Sequence, residues 1–328
     1  MRRREFIALV AGAAVARPLV AQAQATQRKG LPVIGFLHLG SERAIQPGIE
    51  AFQSGLTALG YVEGQNIRVI YRFADGKAEH LTELTTELTS SGAPIIVTIG
   101  TTAIRAVHQA APNVPIVSWG SADPVMMGWA QSLARPGGMI TGLFLVATTV
   151  AKPLELLKEL RPQATVFGYL VNAANPGNPH FRRAIEDAAG ALGIKVEILE
   201  VKQQSELAEA FRRMDSYGSL GVAILGDPLF VSTWPTIIQL ARQHRVPTVF
   251  DTAAFVQQGG LFALSPNYHS LAKRAAWYVD QILKGTPAGD LPAEQATEYK
   301  LFVNLKTAKE LGLTIPASLL ARADEVIE

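Results

Sequence analysis

The sequence predicts an α/β protein of two similar doubly wound parallel-sheet lobes joined by a multi-strand hinge. Three observations lead there. The chain has 328 residues, about twice the length of a typical domain. Near-continuous β-branched runs alternate with amphipathic stretches, the pattern of a parallel sheet covered on both faces. Halfway along, the alternation starts again. Val246-Pro247-Thr248-Val249-Phe250 echoes Val114-Pro115-Ile116-Val117-Ser118 at the matching place in the first run.

Taken in order, the first run has strands at Val33–Leu37, Ile67–Tyr71, Ile95–Ile99, Val114–Ser118 and Gly138–Leu143. Helical periodicity falls between them at Ile49–Leu59 and Leu81–Leu88. The second run opens with a helix at Lys152–Leu160. Strands follow at Val166–Val171, Val196–Leu199, Val222–Leu225 and Val246–Phe250, with helices at Phe181–Leu192 and Leu207–Met214. What remains is a strand at Leu261–Leu264, a helix at Leu271–Leu283, a strand at Leu301–Asn304 and a short helix at Thr307–Leu311. That is too little to bury a third core. It reads as chain crossing back, the helix completing the first lobe and the last strand the second. The expected lobes are 30–147 plus 266–292 and 148–265 plus 293–328, with crossings near 145–150, 263–268 and 292–299.

The N-terminus reads as an address. Arg2-Arg3-Arg4 precedes the apolar run Phe6–Ala16, and small residues stand before a cut after Ala23 or Ala25, the parts of a secretory signal over residues 1–25. Arg3-Arg4-Glu5-Phe6-Ile7 also resembles the twin-arginine signal, so both export routes fit. The apolar run is too short for a membrane span, which takes roughly 20 residues. From Thr26 onward 26 basic residues face 27 acidic ones, so no basic face points to nucleic acid. There is no cysteine, which excludes disulfides, a cysteine nucleophile and a lipidated cysteine anchor. Dinucleotide, P-loop, nucleophile-elbow and HExxH motifs are missing, and the six histidines lack metal-ligand spacing. No cofactor or metal is therefore expected, and of the catalytic arrangements only a Ser-His-Asp set assembled from distant loops stays open.

Several segments together resemble one family. They are Gly60-Tyr61-Val62-Glu63-Gly64-Gln65-Asn66-Ile67, Leu133-Ala134-Arg135-Pro136-Gly137-Gly138, Asp227-Pro228-Leu229-Phe230, Asn304-Leu305-Lys306-Thr307-Ala308 and the Ala323-Asp324-Glu325-Val326-Ile327 tail. The chain resembles ABC-transporter substrate-binding proteins of the tryptophan/tyrosine-type uptake family, from about Pro32 to the C-terminus. The resemblance implies a type I periplasmic-binding-protein fold with three inter-lobe crossings. It also implies a monomer that delivers a small molecule, an amino acid or related carboxylate, to a membrane permease with a cytoplasmic ATPase. The chain departs from a frequent family pattern where Leu264-Ser265 stands in place of a Tyr-Gly pair before Pro266-Asn267. A periplasmic sensor subunit or a secreted enzyme on the same scaffold are the alternatives.

In open parallel sheets ligands bind beyond the C-terminal strand ends. Five loops qualify. Ser41 follows the first strand. Gly100-Thr101-Thr102 follows the third, where a helix N-terminus offers free N–H groups to a carboxylate; the threonines contact ligand there or cap that helix. Ser121 and Asp123 follow the fourth, Asp123 accepting from a ligand amine or capping the next turn. In the second half Asn172, and with it Asn175 as a turn residue, and Asp227 occupy equivalent loops. Phe230 either stacks on a flat ligand or belongs to the core, as aromatics near strand ends more often do, with Trp119 and Trp234 as further aromatic candidates.

Overall fold

The computed structural model describes residues 30–145, 148–216 and 220–328; the export signal expected over residues 1–25 lies outside them. The first sheet contains β1 (Val33–His38), β2 (Arg68–Phe73), β3 (Ile96–Ile99), β4 (Ile116–Ala122), β5 (Ile140–Leu145) and β11 (Ala293–Gln295). The second contains β6 (Val166–Asn172), β7 (Lys195–Val201), β8 (Val222–Ile224), β9 (Thr248–Phe250), β10 (Phe262–Pro266), β12 (Tyr299–Asn304) and β13 (Glu325–Ile327). The order is β2-β1-β3-β4-β5-β11 in one and β7-β6-β8-β9-β10-β12-β13 in the other. Strand for strand, the first five positions match. All pairs are parallel except β10 with β12. This is a duplicated doubly wound fold, with a switch point beside β1 and β3 in one lobe and beside β6 and β8 in the other.

Each sheet is covered on both faces. In the first lobe α1 (Glu42–Ala58) and α9 (Tyr268–Leu283) bury Phe52, Leu56, Ala272 and Val279 against Ile34, Phe36, Val97 and Val117. On the other face α2 (Leu81–Ser90) and α3 (Thr101–Ala110) bury Leu88, Ile104 and Val107 against Leu37, Ile96 and Phe144. In the second lobe α4 (Thr148–Leu160) and α5 (Asn178–Leu192) cover one face, α6 (Leu207–Ser216) and α7 (Pro228–Gln243) the other. Each fully buried Phe or Leu contributes roughly 1.5–3 kcal/mol. Helices α1 and α9 pack closely because Gly55 faces Lys273 and Ala276; a Cβ there would sit 2.7 Å from the Lys273 carbonyl oxygen.

The chain crosses between lobes at three places. Residues 146–147 of the first crossing lie outside the described residues; β5 ends before them and α4 begins after. The second crossing is Asn267, between β10 and α9, and the third runs from β11 to β12. They lie side by side. Asn267 N donates to Glu298 O at 3.0 Å, and Ala296 N to Phe144 O at 2.9 Å. Two details differ from the sequence reading. The first helix starts at Glu42 and carries Pro47 inside it, whereas the sequence reading began it at Ile49. Ala293–Gln295 pairs with β5 in the first sheet, beyond the limit at 292.

The segments that carry the family resemblance do scaffold work. Gly60 turns with φ +89°, Asn66 Nδ2 donates to its carbonyl at 2.8 Å, and the Tyr61 hydroxyl donates to the buried Asp280 at 3.0 Å. Gly137 N donates to Gly289 O at 3.0 Å. Asn304 accepts from Thr307 N at 2.8 Å, capping the helix Leu305–Glu310, and donates to Val256 O at 3.0 Å.

Candidate functional site

The five loops expected from sequence all stand at C-terminal strand ends, and the geometry sorts their residues. Ser41 is the N-cap residue of α1, and its side chain makes no capping bond. Gly100 has φ +86°, and a Cβ there would meet nothing within 4 Å, so open space lies against its backbone. Its N–H donates to Gly120 O at 2.8 Å, which joins the loop after β3 to the C-terminal end of β4. Thr101 is buried, and its hydroxyl accepts from Ala122 N at 3.1 Å. Thr102 is half-buried, and among the described residues its hydroxyl has no hydrogen-bond partner. The first three N–H groups of α3 point out of the helix with no acceptor inside it.

Other candidates are committed to the protein itself. Ser121 is buried and its hydroxyl bonds Ser118 and Ala122 O. The Asp123 carboxylate accepts from Val125 N at 2.8 Å and Met126 N at 3.3 Å, so it caps a turn. Asp227 accepts from Asn172 Nδ2 at 2.9 Å, Asn175 Nδ2 at 2.8 Å and Leu229 N at 2.9 Å, as the N-cap of α7. Asn172 and Asn175 in turn accept from Ala174 N and Gly177 N. Phe230 is 0% exposed among Phe211, Ile237 and Phe250, which leaves no ring face for a ligand and replaces the expected stacking role with a core one. Trp119 is likewise core, 5.4 Å from the ring centroids of both Phe36 and Phe52. Trp234 packs on the flank of the second core.

Two residues missed by the sequence reading join the lobes. Asp251 follows β9, and its carboxylate lies over Gly226, where a Cβ would come within 1.7 Å of Oδ2. The Tyr268 hydroxyl, from the first turn of α9, donates to Asp251 Oδ2 at 3.2 Å. The same Tyr268 ring passes 3.4 Å from the Cβ position of Gly120. A continuous line thus runs Gly100, Gly120, Tyr268, Asp251, Gly226, from the switch point of one sheet to that of the other. Burial pushes the Asp251 carboxyl up to about 6, partly opposed by the Tyr268 hydrogen bond, and Asp227 adds to the rise. Duplication was the signal that could have found Asp251, because the loop after β9 is the counterpart of the loop after β4.

His38 ends β1 beside this line. Its ring is buried, Nδ1 has no partner, and Nε2 lies 3.0 Å from the Cβ position of Gly40. Burial pushes its pKa down to about 4. The unfolded chain protonates near 6.5 while the folded one resists, so His38 lowers stability as pH falls from 6.5 toward 4. At pH 4.5 the loss is about 2–3 kcal/mol. Urea unfolding at pH 7 and 4.5 should show a smaller acid loss in His38→Gln than in the wild type. Asp251, raised rather than lowered, works in the opposite direction in both proteins, and the comparison cancels it.

Among the described residues no cluster of three or more His, Asp or Glu is placed to hold a metal, and no helix is long and apolar enough to cross a membrane. The arrangement offers backbone N–H donors beside open space at Gly100 in one lobe and the Asp251 carboxylate in the other, joined through Tyr268.

Known proteins share this build. The chain is 25% identical over 289 residues to a tyrosine-binding protein of Clostridioides difficile, spanning 88% of this chain and 83% of the relative. Its fold matches a Streptococcus pneumoniae ABC domain solved in complex with L-Trp, with TM-score 0.84 and 25% identity, over 91% of this chain and all of that one. It also matches the ligand-free, open structure of a Clostridium difficile substrate-binding protein with adhesive properties (TM-score 0.68, 23% identity, 90% and 99% covered). A leucine-binding protein from Thermotoga maritima shares the fold at 12% identity and TM-score 0.61, over 86% of this chain and 87% of that one. These are binding proteins of the type I periplasmic class, with the same two-sheet architecture. The family model for ABC transporter substrate-binding proteins matches residues 32–327, nearly all that the structure describes, and the chain belongs to that family.

Proposed function

We propose that this protein captures an amino acid, an aromatic one foremost, between its lobes outside the cytoplasm and delivers it to an ABC importer without chemical change. The observation that carries the reading is the line from Gly100 to Gly226 through Tyr268 and Asp251, where the switch-point loops of both sheets converge. The tryptophan complex and the tyrosine-binding relative support the aromatic class. The ligand carboxylate sits on the N-terminus of α3, where the unpaired N–H groups and the helix dipole favour an anion by about 0.3–1 kcal/mol even when exposed. Thr102, half-buried at the helix start, adds a hydroxyl donor; the Thr101 hydroxyl is buried and turned to Ala122 N, from which it accepts. Residues 1–25 serve as the export signal by either route. The mature monomer closes about its three crossings and presents the loaded form to a permease coupled to a cytoplasmic ATPase.

Calorimetry with L-tryptophan and L-tyrosine on protein lacking residues 1–25 tests this, together with mass spectrometry of whatever co-purifies. Thr102→Val keeps the side-chain size and removes the donor. Affinity for the bound amino acid should then fall by roughly 1–3 kcal/mol, the cost of an unpaired buried polar group. Unchanged affinity would detach the carboxylate from this loop, and a co-purified ligand of another class would overturn the amino-acid reading.

A further inference from the structure

We propose that Asp251 takes the positively charged end of the ligand and that Tyr268 is the donor it gives up, so that the site selects a protonated amine. This rests on the amino-acid reading above and adds a residue and a selection rule to it. The argument is one of uncompensated charge. Two carboxylates, Asp251 and Asp227, lie at the second-lobe end of the line, and among the described residues neither is ion-paired. Asp227 is satisfied by neutral donors, two asparagine amides and a backbone N–H. Asp251 has one side-chain donor, the Tyr268 hydroxyl, at a long 3.2 Å. The titratable groups that act on it or feel it are neutral or acidic: Tyr268 on α9, Asp227 at the start of α7 and Tyr169 on β6. Tyr299, on β12, acts on Tyr268. Lys152, on α4, lies over the Tyr299 ring at 4.5 Å from its centroid and bonds neither carboxylate. A half-buried carboxylate without a cation is costly, and a ligand ammonium supplies the missing charge.

The position fits the exchange. Gly226 leaves room for the Asp251 carboxylate, and Tyr268 belongs to the other lobe, so any group that replaces its O–H stands between the lobes. A ligand held by its carboxylate on α3 and by its amine on Asp251 touches both lobes and fixes their separation. Carboxylate and ammonium ends are thus read by different lobes, which sets amino acids above simple acids and simple amines.

Protonation supports the same assignment. With its carboxyl held near 6, Asp251 is ionised at neutral pH and loses its charge on acidification. Affinity for an amine-bearing ligand should be roughly tenfold weaker at pH 5 than at pH 7.5, since one proton must be displaced. The same raised carboxyl makes ligand-free Asp251→Asn melt higher than the wild type at pH 7.5.

The experiment compares L-tryptophan, tryptamine, which lacks the carboxylate, and 3-indolepropionate, which lacks the amine, together with the corresponding tyrosine set. Each is titrated by calorimetry into wild type, Asp251→Asn and Tyr268→Phe at pH 5 and 7.5. The expected result is a fall of 30-fold or more for the amino acid in Asp251→Asn, with the pH dependence gone and 3-indolepropionate binding unchanged. Tyr268→Phe should bind the amino acid at least as well as the wild type. Asp251→Asn binding the amino acid as tightly as the wild type, with the same pH profile, would overturn the proposal and leave the amino-acid reading intact. Wild type that binds tryptamine but no amino acid would remove that reading while keeping Asp251 as the cation site. Binding of the deaminated acids alone, or of nothing in either set, would sink both.

Discussion

Replacing Gly142 by alanine should cost the first lobe about 4 kcal/mol or more, enough to prevent native folding. Gly142 lies in β5 with φ +116°, a region that L side chains rarely adopt. An added Cβ would come within 2.2 Å of the Ser118 carbonyl oxygen and 2.7 Å of its nitrogen. Both are backbone atoms of the neighbouring strand, so no rotamer change relieves the contact. Strand β4 cannot retreat either, because it is hydrogen-bonded to β3 on its other side and its register with β5 already shifts beyond Trp119. Gly64→Ala is the control. Its φ is +79° but a Cβ there meets nothing within 4 Å, so only backbone strain of roughly 1–2 kcal/mol applies. Circular dichroism melts of the two variants separate clash from strain. A Gly142→Ala protein melting as high as Gly64→Ala would refute the packing argument. Since β4 itself carries Gly120 and its contact with Tyr268, a variant misfolded here should lose ligand binding as well.

The duplicated order of the sheets was readable because each lobe repeats strong signals. The two Val-Pro strand starts precede β4 and β9, equivalent strands in equivalent places. Weak elements were hidden for physical reasons. Strands β11 and β13 have three residues each, too few for alternation to register, and they form only by joining an edge already made. The beginning of α1 was masked by Pro47, which is tolerated inside the helix. The site was legible as a set of loops but not as a set of contacts. Asn, Asp and Thr serve equally as ligand donors and as caps, and spacing alone does not say which. Asp123 and Asp227 proved to be caps, whereas Thr102 kept a free hydroxyl. Asp251 was passed over because its partner Tyr268, 17 residues on, lies beyond a crossing and belongs to the other lobe.

Removal of the Asp227 carboxylate should be the most damaging polar change in the second lobe. Asp227 is 5% exposed and ties three separate pieces of chain: the loop after β6 through Asn172, the turn before α5 through Asn175, and the start of α7 through Leu229. Asp227→Ala leaves two amide donors and a helix N–H without acceptors. Each unmet buried donor costs about 1–3 kcal/mol, and the lost N-cap about 1. Water reaching the opened loop recovers part of this, which gives an expected loss of about 3 kcal/mol. Asp227→Asn should fall between, because one oxygen still accepts while the new amide N–H₂ faces the donor of an asparagine. Urea unfolding orders the three proteins, and hydrogen exchange over residues 172–178 and 227–231 should quicken in Asp227→Ala while the first lobe stays protected. Equal unfolding midpoints for wild type and Asp227→Ala would mean that the two asparagines find other acceptors. That would return Asp227 to the pool of ligand contacts, since its buried carboxylate would then have no structural reason to face these loops.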